Sequence, residues 1–345
     1  MSELGVNVLE PLAVVTRRQG LQPMAARLDA LREWLARDLV DLEADLAGVN
    51  GQDDLAGRAA AWLLERPGKR VRPLCVLLAA RLGPKPAPTA RDLAVACELA
   101  HAATLLHDDV IDQGEERRGA PTARIVYGNS ASVLAGDHLL VLALRRVEQA
   151  GQPALLASLL AVIGEMVAGE ALQLERRGRF EPDAAAYDRI VASKTASLFA
   201  WAMRAGTTAS GCTVPEVAAG VRFGLALGQA FQLTDDALDL AGDPARTGKD
   251  SLLDVREGKL TWPLLVACQR APELLGRLQA VALDPDGEDR TDLRRCLLAT
   301  GCVDETLARA RSAATAANAA LAGFAGSPAR SALSAVVQAV VQREA

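Results

Sequence analysis

The chain has 345 residues, half of them hydrophobic, which is enough for one large core or two ordinary domains. Its formal net charge is −5 and its basic residues are scattered or confined to short motifs, which argues against a nucleic-acid-binding surface. The six cysteines fall at irregular intervals without a CxxC pair or a Cys/His metal spacing, and this indicates buried, reduced thiols.

The N-terminal residues lack the basic start, apolar core and cleavage site of a signal peptide, and we expect residues 1–23 to be loosely ordered. Between Leu28 and Leu46, leucines recur every three or four residues between charges, which predicts an amphipathic helix. The apolar stretch from Leu155 to Gly169 is interrupted by Glu165 and is shorter than a span of about 20 residues. The sequence therefore predicts a cytoplasmic protein without an integral membrane segment.

Helix-forming residues dominate the rest of the chain, because aromatic residues are few and Ala, Leu and Arg abound. Further helices are predicted at 92–112, 154–177, 183–206, 215–241 and 304–321. Segments with Gly and Pro separate helices at 83–88, 178–182, 211–215, 242–248 and 326–328. The pattern predicts an all-α bundle of ten or more helices, forming one domain over residues 1–345.

The first candidate binding motif is PGKRVRP, where Lys69 and Arg72 stand beside Pro73, a residue suited to the first turn of a helix. Backbone donors and the positive end of the helix dipole would join these cations in binding an anion. The alternative is a solvated basic turn.

The first acidic cluster lies in LLHDDVIDQGEERRG and consists of Asp108, Asp109 and Asp112. On a helix, Asp108 and Asp112 share a face, with their Cβ atoms roughly 5–6 Å apart. His101 lies two turns earlier on nearly the same face, and it is either a core histidine or a phosphate donor.

The second acidic cluster lies in FQLTDDALDLAGD and repeats the spacing with Asp235, Asp236 and Asp239, while Gln232 lies one turn earlier. Like charges at this spacing destabilise a helix, and an unpaired carboxylate among apolar residues is costly. Magnesium compensates such charge, since it takes one or two carboxylates and completes its shell with water and phosphate oxygens. One DDxxD alone is more often a solvated helix face, but two within apolar helices favour a magnesium-held diphosphate.

Basic residues follow both clusters. Arg117 and Arg118 come after the first, and the planar guanidinium suits phosphate oxygens. Lys194 opens KTASLF, Lys249 lies in TGKD and Lys259 lies in EGKLT. A lone lysine is more often a surface charge, so each of these also has that interpretation.

Residues 68–263 contain, in this order, the motifs GKRVRP, HAATLLHDDVID, RRGAPT, VLAGD, MVAGEALQL, KTASLF, FQLTDDALD, GKD and EGKLTWP. Together these motifs resemble those of the trans-isoprenyl (polyprenyl) diphosphate synthase family. The resemblance implies a helical bundle around a central cavity, a homodimer, and a prenyltransferase that adds isopentenyl diphosphate head to tail to an allylic diphosphate. The allylic cation is attacked by the isopentenyl double bond, and the released diphosphate takes the proton.

The resemblance also implies residue roles. Three magnesium ions are coordinated by Asp108, Asp112 and Asp235, while the two acidic patches are completed by Asp109, Asp236 and Asp239. The allylic diphosphate is held by Arg117, Lys194 and Lys259, with Lys249 nearby. The isopentenyl diphosphate is held by Lys69, Arg72, His101 and Arg118. The polar positions beside the developing allylic cation are Thr195 and Gln232.

Small side chains precede the first acidic cluster, at Ala103 and Thr104 and, one turn earlier, at Ala100. In the resembled family this position lines the tunnel for the growing tail, so we expect a product longer than geranylgeranyl, for quinone side chains or related isoprenoids. Alanines that merely pack helix against helix are the alternative. A farnesyl or geranylgeranyl synthase, a cyclase or head-to-head enzyme, and a non-catalytic partner subunit remain as other interpretations.

Overall fold

A computed structural model describes residues 22–50, 54–66, 68–242, 252–284 and 290–342, and it confirms the all-α class. The α-helices, in chain order, are α1 (Gln22–Ala47), α2 (Leu55–Leu64), α3 (Val71–Ala79), α4 (Ala90–Ile111), α5 (Ala123–Tyr127), α6 (Asn129–Gln149), α7 (Pro153–Arg176), α8 (Ala184–Ile190), α9 (Ser197–Ala209), α10 (Val214–Ala241), α11 (Leu253–Arg256), α12 (Trp262–Arg270), α13 (Leu274–Leu283), α14 (Arg290–Ala299), α15 (Cys302–Ala320) and α16 (Pro328–Val341). The predicted helices are all present, with ends within a few residues of those expected. The segment expected to be loosely ordered lies outside the described residues except for positions 22 and 23, which begin α1.

Two 3-10 turns, one π-helical segment and one β-hairpin were not predicted. Gly48–Asn50 and Leu321–Gly323 form 3-10 turns, and Val191–Ala196 forms a π-helical segment between α8 and α9. A two-residue antiparallel hairpin pairs β1 (Glu116–Arg117) with β2 (Ala120–Pro121). These elements depend on tertiary contacts, so the helical periodicity of the sequence does not reveal them.

The described residues form two compact units. The first draws on ranges 1–160, 201–221 and 323–335, and the second draws on 161–200, 222–322 and 336–345. The expectation of a single domain over the whole chain stays a prediction.

The first unit is built around α4, which is apolar on nearly all sides and packs against α3 and α6. Leu93, Leu99 and Leu106 on this helix are fully buried. A Cβ on Gly206 would overlap the carbonyl oxygen of Val76, so this glycine permits close contact with α3. The packing fixes the end of α4, where the first acidic cluster lies.

The second unit has two apolar clusters. One joins α12, α13 and α14 through Leu264, Leu278 and Leu297. The other joins α8, α10 and α15 through Tyr187, Leu233 and Ala310. Because α8, α10 and α15 share this cluster, they hold the residues around the second acidic cluster in place.

All six cysteines are free thiols, as predicted, and burial raises the pKa of Cys75 to about 12. Among the described helices, α7 alone is long and apolar enough to cross a membrane by length and composition. It is longer than the apolar stretch in the sequence because Pro153 and the residues after Gly169 extend it. The apolar stretch from Leu155 to Gly169 lies within this helix, which also contains Glu165 and Glu170.

Candidate active site

The end of α4 carries the first acidic cluster. Asp112 caps this helix, and its backbone N–H donates to the carbonyl oxygen of Asp108 at 2.8 Å. The four-residue spacing is thus one helical turn, as predicted, and both side chains are half-buried. Two carboxylates therefore stand on one face, at a position open to solvent.

Asp109 is more deeply buried than Asp108 and Asp112. Its side chain is buried, and Oδ1 accepts a hydrogen bond from Arg117 Nε at 2.8 Å. Burial raises the pKa of Asp109, while the Arg117 guanidinium opposes the shift. Asp109 therefore holds Arg117 beside the cluster, and the assignment of Asp109 to the acidic patch stays a prediction.

The predicted isopentenyl diphosphate residues of the first unit lie together. Arg72 Nη1 lies 3.2 Å from His101 Nε2. Lys69 lies three residues before Arg72 and is exposed. Burial and the charge of Arg72 hold the pKa of His101 well below its usual range, so the imidazole is neutral. Since a guanidinium only donates, Nε2 is the acceptor and Nδ1 carries the proton.

Arg118 reaches the same place from the hairpin. Arg118 and Gly119 both have positive φ, at 55° and 73°, which is the requirement of a type I′ turn. The Arg118 side chain donates to the carbonyl oxygen of Arg66 at 3.0 Å. A Cβ on Gly68 would lie 2.8 Å from Arg118 Nη2, so the guanidinium packs directly against the backbone of this loop.

Arg70, between the two cations of the loop, has a different role. Its backbone is left-handed at φ 42°, and its side chain is buried. Nη1 donates to Glu98 at 2.5 Å, and Nε donates to Glu43 at 2.9 Å. Arg70 therefore ties the loop to α4 and α1, which directs Lys69 and Arg72 away from the core.

The second unit contains a cavity of about 180 Å³. Five residues singled out from the sequence line it, namely Lys194, Thr195, Gln232, Asp236 and Lys259. They come from the π-helical segment, from α10 and from the loop before α12. The structure thus brings together residues that are up to 65 positions apart.

A chain of hydrogen bonds crosses one wall of this cavity. Thr195 Oγ1 donates to Gln232 Oε1 at 2.9 Å, and Gln232 Nε2 donates to Asp236 Oδ1 at 2.8 Å. The Tyr187 hydroxyl donates to the other oxygen of Asp236 at 2.6 Å. Burial and the neighbouring Asp254 raise the pKa of Asp236 to about 7, while the two donors oppose the shift.

Both lysines of the cavity are paired with carboxylates. Lys194 forms an ion pair with Glu170 and donates to Gln173 Oε1 at 3.0 Å. Lys259 pairs with Glu257 at 2.6 Å. Lys249, the remaining predicted lysine, lies outside the described residues.

The π-helical segment exists because two glycines admit it. A Cβ on Gly169 of α7 would lie 2.8 Å from Ser193 Cβ. A Cβ on Gly228 of α10 would lie 2.5 Å from Ala196 Cα. Any larger residue at either site would displace the turn that carries Lys194, and π-helical segments of this kind are frequent at functional sites.

The second acidic cluster continues along α10, where Asp235 and Asp239 are half-buried while Asp236 is buried. Within the described ranges, no group of three or more His, Cys, Asp or Glu side chains is arranged to hold a metal ion alone. Magnesium needs only one or two protein carboxylates when water and phosphate oxygens fill its other positions. The pairs Asp108 with Asp112 and Asp235 with Asp239 fit that requirement.

The predicted product-length residues lie on α4. Ala100 and Ala103 are buried, and the Thr104 hydroxyl donates to the carbonyl oxygen of His101 at 2.8 Å. Burial among neighbouring side chains is what the helix-packing alternative expects. The tunnel assignment stays a prediction.

Several functional side chains escaped the sequence analysis. Glu170 and Gln173 lie three residues apart in MVAGEALQL, a motif that we matched without assigning roles. Tyr187 lies seven residues before Lys194, and Asp254 lies on the short helix α11. The spacing of Glu170 and Gln173 on one helical face was the only available signal.

Comparison with known proteins identifies the family. The polyprenyl synthetase family model matches residues 54–299. The chain is 34% identical over 321 residues to the octaprenyl diphosphate synthase of Escherichia coli, covering 92% of this chain and 99% of that one. It is 35% identical over 326 residues to the nonaprenyl diphosphate synthase of Mycobacterium tuberculosis, covering 91% and 93%.

Among solved structures, the chain is similar to a polyprenyl synthase from Caulobacter crescentus that is complexed with calcium and isoprenyl diphosphate. The TM-score is 0.85 at 36% identity, and the match covers 92% of this chain and 98% of that one. The chain therefore belongs to the polyprenyl synthetase family, and it is a prenyltransferase.

Proposed function

We propose that the protein condenses isopentenyl diphosphate with an allylic diphosphate, head to tail, to make a trans-polyprenyl diphosphate longer than geranylgeranyl. The observation that carries the proposal is the cavity of the second unit, which gathers Lys194, Thr195, Gln232, Asp236 and Lys259. Cationic, hydroxyl, amide and carboxylate groups around one cavity suit a diphosphate joined to a developing carbocation.

Asp108, Asp112, Asp235 and Asp239 would hold magnesium ions, three in all by family resemblance. Magnesium bound there neutralises the negative charge that grows on the departing diphosphate. The calcium in the Caulobacter crescentus structure supports the use of a divalent cation.

Arg117, Lys194 and Lys259 bind the allylic diphosphate, with Lys249 beside them. Lys194 and Lys259 each already face one carboxylate. A diphosphate offers more charge than Glu170 or Glu257, so it competes for both ammonium groups, while the carboxylates orient them beforehand.

Lys69, Arg72, His101 and Arg118 bind isopentenyl diphosphate. His101 contributes a neutral Nδ1–H donor, because its Nε2 is occupied by Arg72. Arg118 contributes a guanidinium held by the tight turn of the hairpin. Binding here places the isopentenyl double bond for attack, which is a contribution of position rather than of acid–base chemistry.

Thr195 and Gln232 stabilise the allylic cation. The Thr195 hydroxyl donates a hydrogen bond to the side-chain oxygen of Gln232. Its oxygen therefore presents lone pairs to the cavity and favours positive charge there. The released diphosphate accepts the proton that the condensed product loses.

The length of the product is proposed from two lines of support. The relatives in Escherichia coli and Mycobacterium tuberculosis are named for octaprenyl and nonaprenyl products. Small side chains stand at Ala100, Ala103 and Thr104, before the first acidic cluster. Such a product suits quinone side chains or related isoprenoids.

We further propose a cytoplasmic homodimer. On α6, Leu134 and Val141 expose large apolar side chains, and on α7 Leu160, Val167 and Leu174 recur at seven-residue intervals and are exposed. An apolar stripe of this period is typical of a helix that packs against another helix. In a homodimer, the second copy would shield these apolar side chains from water. Sedimentation of the purified protein at twice the chain mass would support the homodimer.

Labelled isopentenyl diphosphate tests the activity. Purified protein with magnesium and farnesyl diphosphate is expected to convert the label into an acid-labile prenyl diphosphate, and removal of magnesium with EDTA is expected to stop the conversion. Absence of incorporation by the purified chain, with activity appearing only after addition of a second protein, would instead establish a partner subunit.

A further inference from the structure

Both carboxylate oxygens of Asp236 accept hydrogen bonds from side chains of the second unit. Only 3% of the residue is exposed, and its hydrogen-bond donors are the Tyr187 hydroxyl and the Gln232 amide. Both donors are neutral. They fix the direction of the carboxylate without cancelling its charge.

Tyr187 is itself held from behind. Its ring packs on Trp262 with centroids 5.4 Å apart, and the Arg309 guanidinium lies 3.6 Å from the centroid of the Trp262 ring. Arg309 also pairs with Asp188, the residue next to Tyr187, at 2.7 Å. Arg309 is therefore linked to Tyr187 indirectly, through the Trp262 ring and through the neighbouring Asp188.

Tyr187 is the donor in its hydrogen bond to Asp236. Burial and the nearby Asp236 carboxylate raise the pKa of Tyr187 well above its usual value, so the phenol keeps the proton that it donates. On the other side of Asp236, the Thr195 hydroxyl donates a hydrogen bond to the Gln232 side chain, and the Gln232 amide in turn donates to Asp236. Tyr187 and Thr195 both line the cavity, and Asp236 and Gln232 link them through hydrogen bonds.

We propose that Tyr187, Trp262 and Arg309 are positioning residues, which fix Asp236 and, through Gln232, the hydroxyl of Thr195. The inference rests on the proposed function, because it assigns a task to the residues behind a metal-binding cluster. Arg309 lies on α15, beyond the residues 54–299 that the family model matches. A segment outside the sequence motifs therefore sets the geometry of the second acidic cluster.

Calorimetric binding of farnesyl thiodiphosphate with saturating magnesium tests this without turnover. Tyr187→Phe removes one hydroxyl and is expected to weaken binding roughly 10-fold to 100-fold, the range found when a supporting residue next to metal ligands is lost. Arg309→Met should shift the affinity in the same direction by less. Tyr127→Phe, at the chain's other tyrosine, is the matched control and should leave the affinity unchanged.

The decisive comparison places Tyr187→Phe in an Asp236→Asn background. If Tyr187 acts through Asp236, the second change adds no further loss of affinity. Binding by Tyr187→Phe within twofold of wild type, or full additivity in the double variant, would overturn the proposal. Should Tyr187→Phe fail to fold, the same cycle is run with Arg309→Met. A wild-type chain that neither binds the analogue nor incorporates isopentenyl diphosphate would refute the proposed function itself.

Discussion

Replacing Arg70 with Met is expected to destabilise the first unit more than any surface change. The Arg70 side chain is 1% exposed and the Glu98 side chain 2% exposed, so the substitution leaves a buried carboxylate without its cation. It also removes donors to Glu43 and to the carbonyl oxygen of Leu64. Breaking one side of a buried ion pair costs about 3–5 kcal/mol, and we expect a loss of about 4 kcal/mol.

The partner substitution sharpens the prediction. Glu98→Gln keeps an oxygen acceptor and leaves Arg70 its contact with Glu43, so we expect a loss of about 2 kcal/mol. In the double variant neither position keeps a charge that lacks its partner, so the free energy of unfolding should fall by about 4 kcal/mol. The coupling energy is then about 2 kcal/mol.

Urea unfolding followed by tryptophan fluorescence measures these losses. Arg91→Met is the matched control, since Arg91 lies on α4, as Glu98 does, and pairs with Asp41, but both side chains of this pair are about half exposed. A surface pair of this kind is worth about 0–1 kcal/mol. If Arg70→Met costs no more than Arg91→Met, or if the two buried substitutions are additive, the reasoning is refuted.

Four other predictions follow from the site. Gly228→Ala should lower kcat and cost about 1–3 kcal/mol in urea unfolding, because the new Cβ meets Ala196 at 2.5 Å; unchanged kcat would argue against the π-helical segment as a device that places side chains. Asp235→Ala should remove most turnover in a radiolabel assay, because a metal ion loses a ligand, and near-normal turnover would contradict that role. Ala103→Phe should shorten the product, as read by reversed-phase chromatography, and an unchanged product would favour the helix-packing interpretation. Stability should fall as pH drops below about 6.5, because His101 is held neutral in the fold and unfolded histidine takes up a proton near that pH; an equally steep loss in His101→Asn would assign the effect to other groups.

The helices predicted by range could be recognised because their apolar residues recur at helical spacing, whereas helices such as α6 and α16 were not predicted individually. The ends of α4 and α10 were predicted to within a few residues, which placed both acidic clusters on helices. Asp108 with Asp112 follows directly from that placement, since a four-residue spacing fixes one helical face.

The different roles within each cluster could not be predicted. Asp108 and Asp109 are adjacent and chemically identical, and only the packing of α4 shows that Asp109 is buried against Arg117. Likewise, one short motif contains three similar cations, Lys69, Arg70 and Arg72, and the motif does not show which of them is buried. The buried partner Glu98 that makes Arg70 structural lies 28 positions away.

The π-helical segment is a further case. Its sequence has ordinary helical composition, and its shape depends on Gly169 and Gly228, which lie on other helices. The same holds for Tyr187, whose hydroxyl finds Asp236 only through tertiary packing. Long-range contacts of this kind are invisible to periodicity and spacing.

Chromatography of the product formed from farnesyl and isopentenyl diphosphates with magnesium tests the central claim most directly. We predict a single series of prenyl diphosphates that ends beyond the 20-carbon geranylgeranyl length. A product that stops at or before that length would contradict the proposed chain length, and the absence of any elongated product would contradict the enzyme assignment.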